Sequence, residues 1–226
     1  MPKPTFFNLP PEKQQTILEI AIEEFAGHDY GVASISQVVK QAKISKGSFY
    51  QYFEDKKDLY LHLVDLAVER EIEFLLASTP PESQTNVFAH LRWIFYRSAD
   101  LVMDDPRWCR IMYRALYGDV PFRDEVYQRA QLALRHHLQK IVEQGIERGE
   151  ITSEIDVDLA VFAIDTLWDS SGYWIPQKLG IDVKKLDREQ ITEEKLKFAQ
   201  KWFDSIIYIL EHGLSAKATQ KNLPKS

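Results

Sequence analysis

The chain has 226 residues, 45% of them hydrophobic and 27% charged, which is the composition of a folded protein with a substantial core. Its length suits one large domain or two small ones. The formal net charge of −6 is unusual for a nucleic-acid binder, so the distribution of charge matters more than its sum. Cys109 is the single cysteine, which excludes an intrachain disulfide.

Several classes of protein find little support in the sequence. The N-terminus lacks a signal-peptide apolar region, and no apolar run reaches the about 18 residues that a membrane span needs. His136 and His137 are adjacent and point to different helix faces, and no His pair has the four-residue spacing of a helical zinc site. Cys109 suits a core position better than a nucleophile. We expect a cytoplasmic protein with no membrane partner, metal, cofactor or catalytic site.

Scarce glycine and the absence of alternating apolar residues predict an all-α fold. Pro10 and Pro11 suit the first turn of a helix that ends near Gly27, and Phe6 and Phe7 precede it as a possible hydrophobic staple. A long helix is predicted from about 55 to 78. Between these helices lies the stretch Ser34–Lys57, on which the functional interpretation depends.

The stretch Ser34–Lys57 predicts two short helices joined by a tight turn. Ser34 and Ser45 are suitable N-caps, because a serine hydroxyl can accept a hydrogen bond from the first helical turn. Phe49 and Phe53 lie four residues apart and share a face. The opposite face is predicted to carry the polar and basic side chains Lys46, Ser48, Tyr50, Gln51 and Tyr52. Such a pair of helices either reads DNA or is an ordinary helical hairpin.

Charge is concentrated in the same stretch. Residues 37–57 contain five lysines against two carboxylates, a net of +3. Gly47 lacks a Cβ and permits close approach of a ligand backbone, at a helix cost of about 1 kcal/mol relative to alanine. A locally basic unit on an acidic chain indicates modest non-specific DNA affinity and a dependence on dimerisation.

The run from Ala42 to Phe53, followed by Lys56–Leu59, resembles the helix-turn-helix of TetR-family transcriptional regulators. The resemblance covers roughly residues 10 to 65, and its motif is highly specific. Lys43 stands where the family usually has glycine, so either this lysine adopts a left-handed conformation or the turn differs slightly. Val39 stands where the family commonly has alanine. Neither change removes the predicted reading face.

The DNA-contacting residues are assigned on this basis. Lysine and glutamine can pair bidentately with guanine and adenine, respectively, so we expect base contacts from Lys46, Ser48 and Gln51. Phosphate contacts position a protein on DNA, and we assign them to Ser34, Tyr50, Tyr52 and Lys56. The resemblance favours a phosphate contact for Lys56 over a solvated surface role. The full predicted DNA-binding set is Ser34, Ser45, Lys46, Gly47, Ser48, Tyr50, Gln51, Tyr52 and Lys56.

The remaining chain predicts about five further helices. They are expected at about 84–103, 106–117, 121–148, 156–174 and 192–212, with Gly149 and Asp156 as caps and a polar loop over 176–190. We predict a DNA-binding domain over 1–58, a ligand-binding and dimerisation domain over 59–215, and a flexible tail over 216–226.

The last two long helices are apolar over more than the about 100° stripe of a one-sided helix. This pattern predicts burial against two partners, either within one monomer or with the second partner in another copy of the chain. The resemblance favours a homodimer, because the last two long helices of the family form its interface. The predicted interface residues are Leu159, Phe162, Leu167, Phe198, Trp202, Ile206 and Ile209.

A ligand cavity is the second predicted site. Aromatic residues at helical spacing either belong to the core or line an apolar pocket. The candidates are Trp93, Tyr96, Trp108, Met112, Tyr113, Phe122, Phe162, Trp168, Tyr173 and Trp174. Four charged residues lie near these apolar stretches and pair either with each other or with a ligand, namely Arg92, Arg110, Asp165 and Asp169.

Together these features predict a ligand-responsive homodimer that binds double-stranded DNA at a palindromic operator. We expect a repressor that an unknown small apolar or aromatic molecule releases, although the sequence does not decide between repressor and activator. The competing interpretation is an all-α enzyme or carrier in which the N-terminal helices are only a scaffold.

Overall fold

The computed structural model describes residues 1–77 and 86–214, and all the α-helices in this part of the chain are numbered in chain order. The predicted chain break at 79–81 and the predicted tail over 216–226 lie outside these residues. The helices are α1 Pro4–Phe7, α2 Pro11–Gly27, α3 Ile35–Gln41, α4 Lys46–Tyr52, α5 Lys56–Ala77, α6 Val87–Asp104, α7 Pro106–Tyr117, α8 Arg123–Glu147, α9 Val157–Lys178 and α10 Glu193–Leu214.

The predicted all-α fold is confirmed. Two short 3-10 turns, Val183–Lys185 and Arg188–Gln190, complete the regular structure of the described residues. Of the helices described, none combines the length and apolar character that a membrane crossing requires. The chain divides into two compact units, each with its own hydrophobic core.

Unit 1 contains Met1–Glu71, Asp105–Gln131 and Asp182–Asp187. Helices α1–α4, most of α5, α7 and the start of α8 therefore belong to it. Phe25, Phe49, Phe53 and Tyr60 are almost completely buried in its core. The helix-turn-helix is consequently built around an aromatic centre.

Unit 2 contains Ile72–Asp104, Leu132–Ile181 and the chain from Arg188 onward. Its core lies among α6, α8, α9 and α10, with Leu91, Phe95, Ile164 and Ile207 nearly inaccessible to solvent. The predicted division of the chain at residues 58 and 59 stays a prediction.

The end of α9 corrects one sequence prediction. A polar loop was expected from residue 176, but α9 continues through Pro176 to Lys178. Helix α9 ends because of Gly180, whose φ is +64° and whose N–H donates to Gln177 O at 3.2 Å. Ile181 N–H donates to Pro176 O at 2.8 Å, which completes a Schellman motif. A proline in the last turn removes one donor without ending the helix.

Candidate nucleic-acid interface

Helix α3 begins at the predicted residue, but the cap differs from the prediction. Ser34 occupies the N-cap position with an extended backbone, and its hydroxyl makes no capping hydrogen bond. Instead, Ser34 N–H donates to Glu24 Oε1 at 2.7 Å, so α2 fixes the start of α3. The Ser34 hydroxyl is therefore not engaged as the helix cap, and its predicted phosphate contact stays a prediction.

The turn between α3 and α4 settles the alternatives left open for Lys43. Lys43 has a φ of 52°, which is the left-handed conformation. Ile44 N–H donates to Val39 O at 3.1 Å and closes the turn. A non-glycine residue at this position carries a conformational cost of roughly 1 kcal/mol, which the surrounding packing has to offset.

Helix α4 has a buried face and an exposed face. Ser45 caps it as predicted, with Ser48 N–H donating to Ser45 Oγ at 2.9 Å. Phe49 is fully buried, and its ring centroid lies 5.4 Å from that of Phe53. The outward residues Lys46, Gly47, Tyr50 and Gln51 are exposed, and Ser48 is partly buried. The aromatic face anchors the helix, so the polar face is held towards solvent.

Tyr52 does not lie on that exposed face, and the sequence prediction is wrong on this point. Its side chain is only 8% exposed, and its ring centroid lies 6.2 Å from that of Phe6 in α1. The cause is the short helix α1, which packs against the end of α4 and was not predicted from the sequence. The predicted phosphate contact of Tyr52 stays a prediction that depends on its hydroxyl alone.

Gly47 is not required by packing within the chain. A Cβ built on Gly47 would lie 3.6 Å from Ser45 Oγ, which is ordinary van der Waals contact, and its φ is not in the left-handed region. Alanine would fit and would favour the helix by up to about 1 kcal/mol. Packing among the described residues therefore does not explain why this position is glycine.

The two lysines at the start of α5 have different surroundings. Lys57 Nζ makes an ion pair with Glu125 at 2.7 Å and lies 5.1 Å from the centroid of the Phe122 ring. Lys56 Nζ lies over the Tyr30 ring, 4.6 Å from its centroid, and burial lowers the pKa of Lys56. Because Lys57 already has a carboxylate partner, Lys56 is better placed for the predicted phosphate contact.

Helices α9 and α10 carry large apolar side chains on the outside of unit 2. Leu159 and Phe162 on α9 are 56% and 54% exposed, and Ile209 on α10 is 63% exposed. Phe198 and Tyr208 are exposed as well. Isolated apolar side chains on a surface are normal, whereas a large contiguous group of them is typical of an interaction surface.

Three of the predicted interface residues point inwards. Ile206 is 7% exposed and belongs to the core of unit 2, and its predicted interface role stays a prediction. Leu167 and Trp202 are partly buried and pack against the same core. A helical stripe wider than one face mixes core and surface positions, and the sequence alone does not separate them.

The predicted pocket residues are divided between the two units. Trp108, Met112 and Phe122 pack against the core of unit 1. Tyr113 stacks with Tyr117 in the same unit, with ring centroids 5.0 Å apart. These four residues therefore lie in unit 1, together with the helix-turn-helix.

The other pocket candidates belong to unit 2. Trp93, Tyr96 and Trp168 pack against its core, with the Trp168 and Phe95 ring centroids 4.7 Å apart. Tyr173 is partly buried, whereas Phe162 and Trp174 are about half exposed and face solvent. Four of the predicted pocket residues are therefore partly buried in unit 2, namely Trp93, Tyr96, Trp168 and Tyr173.

Arg92 and Asp165, two of the predicted charged residues, lie in unit 2. Arg92 Nε lies 3.0 Å from Asp204 Oδ1, and the Tyr96 hydroxyl donates to the same oxygen at 2.6 Å. Burial and this hydrogen bond raise the pKa of Tyr96 to about 12. Asp165 is 1% exposed, and its Oδ2 lies 3.2 Å from Arg135 Nε. Arg92 and Asp165 therefore pair with other side chains of the protein.

An anchored helix-turn-helix followed by a larger helical region defines a DNA-binding regulator rather than an enzyme. Comparison with protein families agrees with this class: residues 17–63 match the model of bacterial regulatory proteins of the tetR family. Residues 85–215 match the tetracyclin repressor-like C-terminal domain. Because these matches cover most of the chain, it belongs to the TetR family of transcriptional regulators.

Individual relatives support this assignment. A TetR-family regulator from Chloroflexus aurantiacus is 37% identical, with a TM-score of 0.69 over 95% of this chain and 99% of the other. The uncharacterized HTH-type regulator YuxN of Bacillus subtilis is 26% identical over 136 residues, 58% of this chain but only 45% of YuxN. Bacillus subtilis FadR, solved in complex with stearoyl-CoA, shares the fold at 21% identity and a TM-score of 0.65, over 88% of this chain and 98% of FadR.

Proposed function

We propose that the protein is a homodimeric repressor that binds a palindromic operator and is released by a small apolar or aromatic molecule. The observation that carries this proposal is the exposed face of α4. Lys46, Gly47, Tyr50 and Gln51 are exposed there, while Phe49 fixes the opposite face in the core. A helix that enters the major groove needs one face anchored in the protein core and the opposite face exposed to the DNA.

Base reading is assigned to Lys46, Ser48 and Gln51. Lysine donates well to guanine O6 and N7, and glutamine pairs with adenine N6 and N7. Gly47 lies between these residues and has room for a methyl group that it does not carry. Close approach of DNA would explain the glycine, because a Cβ at this position would then meet the nucleic acid.

Phosphate contacts are assigned to Ser34, Tyr50, Tyr52 and Lys56. The Ser34 hydroxyl makes no cap, and Tyr50 is 47% exposed. Lys56 Nζ lies over the Tyr30 ring, 4.6 Å from its centroid. Each such contact fixes the register of the protein on the duplex without reading sequence.

Dimerisation is assigned to the exposed apolar side chains of α9 and α10. Leu159, Phe162, Phe198 and Ile209 would be removed from water by a second copy packed on them. Two copies of α4 separated by about 34–36 Å, one turn of DNA, would read two half-sites of a palindrome. Specificity then comes from both half-sites together.

The effector is assigned to unit 2, where Trp93, Tyr96, Trp168 and Tyr173 are partly buried. An effector that prefers a state in which the reading helices are wrongly spaced would weaken operator binding, and the operator would weaken effector binding equally. Helix α5 runs from unit 1 into unit 2 and is the transmitting element. Stearoyl-CoA, found with Bacillus subtilis FadR, has a long apolar acyl chain and is one molecule to test.

Fluorescence anisotropy against duplexes from the DNA upstream of the gene tests the reading function. We expect tight binding to a palindromic duplex that falls steeply with salt, and much weaker binding to a scrambled duplex. The double variant Lys46→Ala, Tyr50→Phe should lose this preference, and Lys140→Ala, an exposed lysine of α8, is the matched control. Operator binding unchanged in the double variant would overturn the residue assignment.

A titration of the protein–operator complex tests the effector. Stearoyl-CoA and a panel of aromatic compounds are added separately, and release of labelled operator is followed. Trp168→Ala should raise the concentration of the active compound needed for release, and titration of the variant with operator alone gives its reference affinity. Equal release in wild type and in this variant would exclude Trp168 from the effector site.

A further inference from the structure

The C-terminal end of α4 has a complete set of hydrogen-bond donors. The last four carbonyls of an α-helix have no partner inside the helix. In α4 these carbonyls belong to Phe49, Tyr50, Gln51 and Tyr52. The first is satisfied locally, since Phe53 N–H donates to Phe49 O at 2.9 Å. The other three receive their donors from residues almost fifty positions earlier in the chain.

These donors come from Lys3 and Thr5. Lys3 Nζ donates to Tyr50 O at 2.8 Å, and Lys3 N–H donates to Tyr52 O at 2.7 Å. The Thr5 hydroxyl donates to Gln51 O. The lysine also places a positive charge at the helix end where the backbone dipole favours one.

The segment that supplies the donors is itself held in the core. Phe6 is 1% exposed, and its ring centroid lies 4.9 Å from that of Phe53 and 6.2 Å from that of Tyr52. Helix α1, Pro4–Phe7, therefore packs directly against the end of α4. We call residues Lys3–Phe6 the N-terminal clamp.

A short helix needs such support to keep one orientation. Helix α4 has seven residues, whereas helices below about 12–15 residues are marginal without tertiary contacts. Base readout requires side chains held to within about 0.5 Å of their productive geometry. Ser45 caps the start of α4, and the N-terminal clamp satisfies its end. Together they determine how Gln51 and its neighbours are presented.

We propose that Lys3 and Thr5 are positioning residues for operator recognition, which hold the last turn of α4 without touching DNA. This inference rests on the proposed reading function of α4. The alternative for Lys3 is a direct phosphate contact, since its ammonium group is exposed near α4. The two roles differ in their dependence on salt and on DNA sequence.

The decisive variant is Thr5→Val, which removes the hydroxyl while nearly preserving size and carries no charge change. We expect the ratio of operator to scrambled-duplex affinity to fall roughly three- to tenfold, as for the loss of one hydrogen bond. The slope of log affinity against log salt should stay at its wild-type value. Thr5→Ser restores the hydroxyl and should restore the ratio.

Lys3→Met tests the charged donor, with Lys3→Arg as its conservative partner. A positioning role predicts a loss confined to the operator, with a salt slope close to wild type and rescue by arginine. A phosphate contact predicts equal losses on operator and scrambled duplex and a slope smaller by about 1, and this result would overturn the assignment of Lys3. Thermal melting of each variant confirms that the full chain is folded.

The proposed reading function of α4 and the proposed role of the N-terminal clamp can be disproved separately. If wild type shows no preference for a palindrome, the proposed reading function is wrong. If Gln51→Ala with Lys46→Ala keeps the preference, the assignment of base reading to α4 is wrong. If that double variant loses the preference but Thr5→Val keeps the wild-type ratio, the reading function stands and the clamp inference is wrong. A drop for Thr5→Val that serine does not reverse also overturns the role of the hydroxyl.

Discussion

The Arg114 guanidinium of α7 donates through Nη1 to Oδ1 of Asp29, which follows α2, at 2.5 Å. Arg114 is only 6% exposed, so this is a largely buried cation held by a partly exposed carboxylate. Nη2 also donates to Lys184 O at 2.9 Å, and Lys184 Nζ lies 3.0 Å from Asp29 Oδ2. Three distant parts of the chain thus meet in unit 1.

Asp29 lies next to the DNA-binding helices in the sequence. Helix α2 fixes the start of α3 through Glu24, and Asp29 follows α2 by two residues. Residues 182–187 lie between α9 and α10 in the sequence but belong to unit 1. We expect the Asp29–Arg114–Lys184 group to stabilise unit 1.

Arg114→Met should strongly destabilise the protein. Methionine fills similar space but leaves Asp29 without its buried partner and Lys184 O without its donor. Because Asp29 is partly exposed and keeps Lys184 as a partner, the main cost is the carbonyl left without its donor, about 1–3 kcal/mol in the free energy of unfolding. Urea unfolding followed by circular dichroism measures this difference. The exposed Arg148→Met should change it by less than about 0.5 kcal/mol. An Arg114→Met protein as stable as wild type would show that the ion pair is not a stabilising contact.

The pKa of Asp29 predicts a dependence of stability on pH. The hydrogen bond from Lys184, together with the Arg114 charge, lowers the pKa of Asp29 below its usual value. A lowered folded-state pKa means that the carboxylate stabilises the fold above its unfolded-state pKa, near 3.9, and loses this effect as pH falls through the folded-state value. Asp29→Asn should therefore be less stable than wild type at pH 7, and the difference should shrink below about pH 4.

The measurement is the urea midpoint of both proteins at pH 7 and at pH 3.5. Asp119→Asn, in an exposed position of the same unit, is the matched control and should track wild type at both values. A difference between Asp29→Asn and wild type that is equally large at both pH values would contradict the assigned linkage.

Features that depend on a few neighbouring residues could be predicted from the sequence. Ser45 caps α4 and Asp156 caps α9, where its side chain accepts from Leu159 N–H at 2.9 Å. Gly149, with a φ of +69°, closes α8 as predicted. Each of these signals acts within one turn of helix, so the chain carries it locally.

Features that depend on distant contacts could not be predicted in the same way. Lys184 and Asp29 are 155 positions apart, and no periodicity links them. The burial of Tyr52 follows from Phe6, on a four-residue helix too short to give a periodic signal. The helix was predicted to end near Trp174, with a loop from Pro176, whereas the Schellman motif at Gly180 ends α9. Tertiary packing decided each of these cases.

Ile209→Asp should convert the proposed dimer into a monomer. Ile209 is 63% exposed within one chain, so a carboxylate there is hydrated in the monomer but buried against its symmetry-related surface in the dimer. Sedimentation velocity should show the change in mass, and operator affinity should fall with it because one half-site alone binds weakly. Lys140→Asp on α8 controls for the added charge. A variant that sediments as the wild-type dimer would move the interface away from Ile209.

Gly47→Ala should separate folding from DNA binding. The new methyl group would lie 3.6 Å from Ser45 Oγ, so the fold accommodates it, and alanine favours the helix by up to about 1 kcal/mol. Unfolding in urea should therefore shift to equal or higher denaturant. Operator affinity should fall by roughly tenfold, equivalent to about 1.4 kcal/mol, because the methyl group occupies space that the DNA backbone needs. Gln139→Ala, an exposed change on α8, is the control for both measurements. Full operator affinity in Gly47→Ala would show that DNA does not approach this side of α4 closely.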